Sequence, residues 1–126
     1  MTRLQLLEKV KKRRKDVGIT IDNLAQISHL GNKTLSRFFA GADVKLSTVE
    51  KVTQVLGLDF AGNEIVNVHT LREQRAEQRA LYIVSLVQDT SALEMQGLES
   101  DSIRSLIEDT KQEFLTGQYK KNLWVS

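Results

Sequence analysis

The stretch LAQISHLGNKTLSRFFAG, residues 24–41, decides the fold. Leu24 and Ile27 have the spacing of an inward helical face that begins near Ile21, and small Ala25 marks a close contact beside them. His29-Leu30-Gly31 interrupts that pattern for about three residues. The helical spacing then resumes over 32–39, with Leu35 and Phe38 inward and Phe39 at the edge. Asn32, Lys33, Ser36 and Arg37 fall on the opposite face, and Gly41 stops the helix.

Two short helices joined by so tight a turn are the sequence form of a helix-turn-helix. Ala25 permits a steep crossing, and Leu30 can fill the gap between the helices. Upstream, Leu4, Leu6, Leu7 and Val10 form an apolar stripe over 3–16. Gly18 suits a left-handed helix terminus, and Thr20 can cap the helix that follows. Downstream, Ser47-Thr48-Val49-Glu50 has the form of a capping box opening a helix over 48–56. Val49, Val52, Val55 and Leu56 are its core positions, Gly57 ends it, and Leu58 and Phe60 are expected to fold back as a lid.

Residues 64–69 are β-branched and roughly alternating. They read either as a short strand pairing with a second copy or as a plain linker. From Leu71 the spacing is helical again, with Ala80, Leu81, Val84 and Val87 on one face to about residue 88. A second capping-box pattern starts at Ser91, and a last helix is expected over 101–116, with Ile103, Leu106, Ile107, Thr110, Phe114 and Leu115 as its stripe. A tail carrying Trp124 follows.

Residues 18–58, and above all LAQISHLGNKTLSRFFAG and LSTVEKVTQVLGL, resemble the lambda-repressor-like, XRE-type helix-turn-helix regulators. With the first helix included, the resemblance covers roughly the first 60 residues. It implies an all-α, five-helix DNA-binding domain with 32–39 as the recognition helix. Two positions depart from the family pattern. Ile21 stands where a phosphate-bonding glutamine is frequent, and His29 replaces the usual turn glycine. Histidine tolerates the left-handed conformation better than most residues.

On this resemblance Asn32, Lys33, Ser36 and Arg37 contact base edges, Asn32 matching adenine and Arg37 guanine. Thr20, Thr34, Lys45, Arg13 and Arg14 would contact phosphates.

Charge agrees with a polyanionic partner. Residues 1–60 hold 11 Lys and Arg against 6 Asp and Glu, whereas 61–126 hold 7 against 10. The run Lys9, Lys11, Lys12, Arg13, Arg14, Lys15 also reads as a solvated helix face. Cysteine is absent, which excludes disulfides and thiolate metal sites. His29 and His69 are too isolated to form a metal site. There is no phosphate-binding loop, dinucleotide fingerprint or nucleophile elbow, and Glu108, Asp109 and Glu113 read as solvated surface. No enzyme activity, cofactor or metal is expected, nor any membrane span. The expected location is cytoplasmic.

The expected organisation is a DNA-binding domain over 1–60, a connector or dimerisation strand over 61–70, and a helical dimerisation or partner-binding region over 71–126. The interface candidates are Ile65, Val66, Val68, Leu81, Val84 and Trp124. The function expected is a sequence-specific regulator of transcription, a repressor binding double-stranded DNA at a palindromic operator as a homodimer. Two alternatives stay open: an antitoxin that binds a partner toxin and represses its own operon, and a protein-interaction module on the same scaffold.

Overall fold

A computed structural model describes residues 2–91 and 100–125. The helices are α1 (Arg3–Val17), α2 (Ile21–Ile27), α3 (Asn32–Phe39), α4 (Leu46–Val55), α5 (Val68–Ser91) and α6 (Ser100–Leu115), followed by a 3-10 turn at Lys120–Asn122. Met1–Leu71 with Trp124–Ser126 form one compact unit, and Arg72–Leu123 form a second. The protein is all-α, and no named strand occurs among the described residues.

In the first unit, α1 opens with a capping box. The Thr2 hydroxyl accepts from Gln5 N at 3.2 Å, and Thr2 N donates to the Gln5 side chain at 2.8 Å. Leu7, Val10, Val17, Leu24, Ala25, Leu35, Phe38, Val49, Val52 and Leu56 form the core. Burying each large aliphatic side chain among them stabilises the fold by roughly 1.5–3 kcal/mol. Leu4 and Phe60, expected inward, are 61% and 49% exposed.

The start of α4 differs from the expected capping box. Its cap is Lys45, whose side chain makes no cap hydrogen bond, and Leu46 is its first residue. Ser47 therefore lies inside the first turn, and Thr48 is buried. Burial of Thr48 on the inner face of α4 holds this turn in the helix, so Ser47 does not serve as the cap.

Residues 64–69 are not a strand. Leu58 and Glu64 make one isolated antiparallel bridge, while Ile65 N and Val66 N both donate to the Gly57 carbonyl. Asn67 then caps α5 through its side chain, which accepts from Thr70 N at 2.8 Å, so Val68 and His69 begin a helix. The segment's polar groups are met locally by a turn and by Arg13, which removes the need for a pairing strand.

In the second unit, Ala76, Ala80 and Val84 are buried at i, i+4 and i+8 of α5. Leu81 and Val87, expected on this stripe, are 49% and 45% exposed. Phe114 of α6 is buried and stacks near Tyr119 at 5.4 Å between centroids, with the Arg79 guanidinium 5.2 Å from its ring. Arg75 Nε donates to the Leu123 carbonyl at 2.9 Å. Burial pushes the Arg75 pKa down, with Arg79 adding repulsion. The second capping-box pattern, apart from Ser91, lies outside the described residues.

Candidate nucleic-acid interface

The turn between α2 and α3 is fixed by backbone hydrogen bonding. His29 N donates to the Gln26 carbonyl at 3.2 Å, and Leu30 N donates to the Ala25 carbonyl at 2.9 Å. These are the paired bonds of a Schellman helix terminus, which needs a left-handed residue between them. His29 is that residue, with φ 57°, and it alone among the described non-glycine residues has positive φ. The same bond pair ends α1, α3 and α4, where Gly18, Gly41 and Gly57 take the left-handed place. The histidine thus fills a glycine's position in a repeated device.

Thr20 caps α2, its hydroxyl accepting from Asn23 N at 3.1 Å. The hydroxyl hydrogen can still donate to a phosphate oxygen. Ile21 is half-buried beside it and offers no polar group.

α3 covers the core with Leu35 and Phe38 and leaves Asn32, Lys33, Thr34, Ser36 and Arg37 exposed. Its cap is Gly31, which has no side chain to satisfy the first-turn amides, and no acidic residue occupies that turn. The N-terminus of α4 is likewise without a side-chain cap or an acidic residue. Both termini direct unopposed partial positive charge outward, the condition that attracts phosphate.

A cleft of about 640 Å³ runs between these helices. Thr34 and Arg37 line it from α3, Asp43, Val44 and Lys45 from the connecting loop, and Ser47, Thr48 and Lys51 from α4. Arg37, Lys45 and Lys51 outnumber Asp43, which is itself paired with Arg3 at 3.0 Å. Arg3 NH1 also donates to the Gly41 carbonyl at 2.6 Å, tying the loop to α1. Ser47 and Lys51 escaped the sequence reading. They stand at i and i+4 on one face of α4, a spacing that appears only once Ser47 lies inside the helix and not at its cap.

Two proposed phosphate ligands face inward instead. Arg13 is buried: Nε donates to the Leu56 carbonyl at 2.7 Å, NH1 pairs with Glu64 at 2.7 Å, and NH2 donates to the Val66 carbonyl. It cross-links α1 to the segment after α4 and is removed from the phosphate set. Arg14 NH1 donates to the Ile19 carbonyl at 3.0 Å, and its guanidinium lies 5.8 Å from the Phe39 ring centre. It too serves the fold.

The interface candidates divide. Ile65 and Leu81 are exposed, and Val66 and Val68 are half-buried, with the Val66 carbonyl taken by Arg13. Val84 and Trp124 are core residues, 3% and 6% exposed. The Trp124 indole donates to the Val17 carbonyl at 3.3 Å, so the tail contributes to the first unit's interior.

This four-helix arrangement, its tight turn and its exposed third helix define a helix-turn-helix domain. Residues 10–63 match the helix-turn-helix family model, and the segment is of the XRE, lambda-repressor-like type, a DNA-binding regulator class. That class is not an enzymatic one. No curated protein and no solved structure matches the chain. Among the described residues, no helix is long and apolar enough to cross a membrane.

Proposed function

We propose that this protein is a sequence-specific transcriptional regulator, a repressor that binds a palindromic operator as a dimer. α3 enters the major groove, with Asn32, Lys33, Ser36 and Arg37 toward base edges. Thr20, Thr34 and Lys45 take phosphates, joined by Ser47 and Lys51 from the cleft wall. The observation that carries this reading is the two-sided character of α3. Leu35 and Phe38 lock it to the core while its whole polar side and its uncapped N-terminus face outward.

The test is selection of bound duplexes from a random pool, followed by polarisation titrations on the selected sequence. Arg37→Ala is expected to lose affinity for it by 1–3 kcal/mol, roughly 5- to 150-fold, and to leave scrambled DNA almost unaffected. Equal losses on both duplexes would remove Arg37 from base recognition. Selection that yields no preferred sequence would overturn the reading.

A second reading, an antitoxin that also binds a protein, draws on a different feature. Leu81, Tyr82, Leu86 and Val87 of α5 are each 45–57% exposed, an apolar surface of the kind protein partners cover. Trp124, being buried, does not supply that contact in this fold.

A further inference from the structure

Arg79 of α5, in the second unit, is half-buried. Its guanidinium lies 5.2 Å from the centre of the Phe114 ring, and its Nε is enclosed with no hydrogen-bond partner. Among the described residues, no ion pair involves it. Arg75 stands one turn earlier, at i and i+4 on the same face, and the two guanidiniums repel. The Arg75 Nε bond to the Leu123 carbonyl holds that side chain in place. Glu113, the carboxylate next to Phe114 in the chain, accepts from Gln118 N at 3.0 Å and so serves the end of its own helix.

An enclosed charged donor without an acceptor is unfavourable, and so is a like-charged pair at this spacing. A fold that needed only to cover Phe114 would do as well with an apolar side chain at position 79. An orphaned donor kept at such a cost calls for a reason outside packing. The surroundings supply one. Tyr82 lies one turn beyond Arg79 on α5 and is 57% exposed. Tyr119 is 41% exposed, with its ring 5.4 Å from that of Phe114. Lys120 and Lys121, both exposed, follow Tyr119 and add positive potential.

We propose that Arg79 and Arg75 form a binding site for a small aromatic oxyanion, a carboxylate or phosphate carried on a ring. The head meets the outer nitrogens of Arg79, since Nε is enclosed, and offsets both guanidinium charges. A planar guanidinium matches the paired oxygens of either head. The ring of the ligand packs on Tyr82 and Tyr119, whose exposed faces suit an aromatic body. None of this requires DNA binding.

The probes are benzoate and phenyl phosphate, with acetate and inorganic phosphate as their ringless counterparts. Each is titrated into the full chain at low ionic strength, without DNA, and followed by amide shifts. Saturable shifts centred on 75–82 and 114–121 are expected for benzoate, phenyl phosphate or both, and the tighter of the two identifies the head. The ringless anions should bind several-fold more weakly. Arg79→Met is expected to weaken the aromatic probes roughly tenfold or more. The same variant should unfold at no lower temperature than wild type, because the orphaned donor and the repulsion go together. Tyr82→Ala should weaken the aromatic probes and leave the ringless anions unchanged. Four probes without saturable shifts, or shifts confined to the cleft residues 31–51, overturn the site. So does an Arg79→Met chain that binds as tightly as wild type, or one that unfolds well below it, since Arg79 would then serve the fold. Ringless anions that bind as tightly as their aromatic counterparts overturn the aromatic ligand.

Discussion

Single residues set the local geometry, and His29 is the sharpest case. A left-handed conformation costs a non-glycine residue about 1–2 kcal/mol, while glycine in the unfolded chain costs about 0.5–1 kcal/mol in entropy. His29→Gly is therefore expected to raise stability by about 0.5 kcal/mol, measured by urea denaturation, with DNA affinity little changed. A loss of stability would show that the imidazole supplies contacts beyond the turn. Arg13 is the opposite case, a cation whose work is internal. Arg13→Ala strips the Leu56 and Val66 carbonyls of their donor and leaves Glu64 without its partner. The expected cost is about 2–3 kcal/mol. Backbone amides of Asn63 and Ala61 hold the Asp59 carboxyl below the ordinary carboxylate range. Because the folded pKa is the lower one, this turn's contribution is complete above the usual carboxylate value. It is lost as pH falls through the folded one. An NMR titration of Asp59 should find its midpoint below 3.8, whereas a midpoint at or above that value would contradict the turn.

At the scale of elements, the sequence displays whatever depends on local spacing. The recognition helix appears with its observed bounds, since Gly31, Leu35, Phe38 and Gly41 mark its ends and its buried side. The left-handed role of His29 was equally visible from its place after α2. What escaped depends on distant partners. The basic run on α1 gives no sign that Arg13 meets carbonyls over forty residues away, because a solvated and an inward arginine share one local spacing. The Ser-x-x-Glu pattern fits a cap at Ser47, whereas α4 starts at Leu46 and packing draws Thr48 into the core. Likewise 64–69 has strand composition, but Gly57 and Arg13 satisfy its backbone, and α5 starts inside it. The cleft wall of α4 belongs to this scale as well. Lys51→Ala is expected to weaken binding to all duplexes alike and to reduce the salt slope by about one, as loss of one phosphate contact should. A change confined to one sequence would make Lys51 a base reader instead.

In the whole molecule, the end of the chain belongs to the first unit. Trp124 is the only tryptophan and is buried there with its indole bonded to Val17, at the end of α1. Its emission should therefore be blue-shifted in the native protein and move to the red on unfolding. Trp124→Ala is expected to cost about 3 kcal/mol or more in stability. A red emission maximum in the native state would contradict the packing. Tryptophan's preference for interfaces suggested an external contact for this residue; the fold uses it inside. Among the described residues, Leu81, Tyr82 and Val87 of α5 are exposed in the second unit, while the first presents a cationic cleft and an apolar groove that are both lined by Asp43 and Val44.

The central claim is that α3 and the cleft beside it meet DNA. Amide-shift mapping by NMR, during titration with a duplex selected by the protein, tests it most directly. Shifts concentrated in 31–37 and 43–51, with the core of α5 unmoved, are the predicted result. Shifts confined to 72–123, with α3 silent, would contradict it.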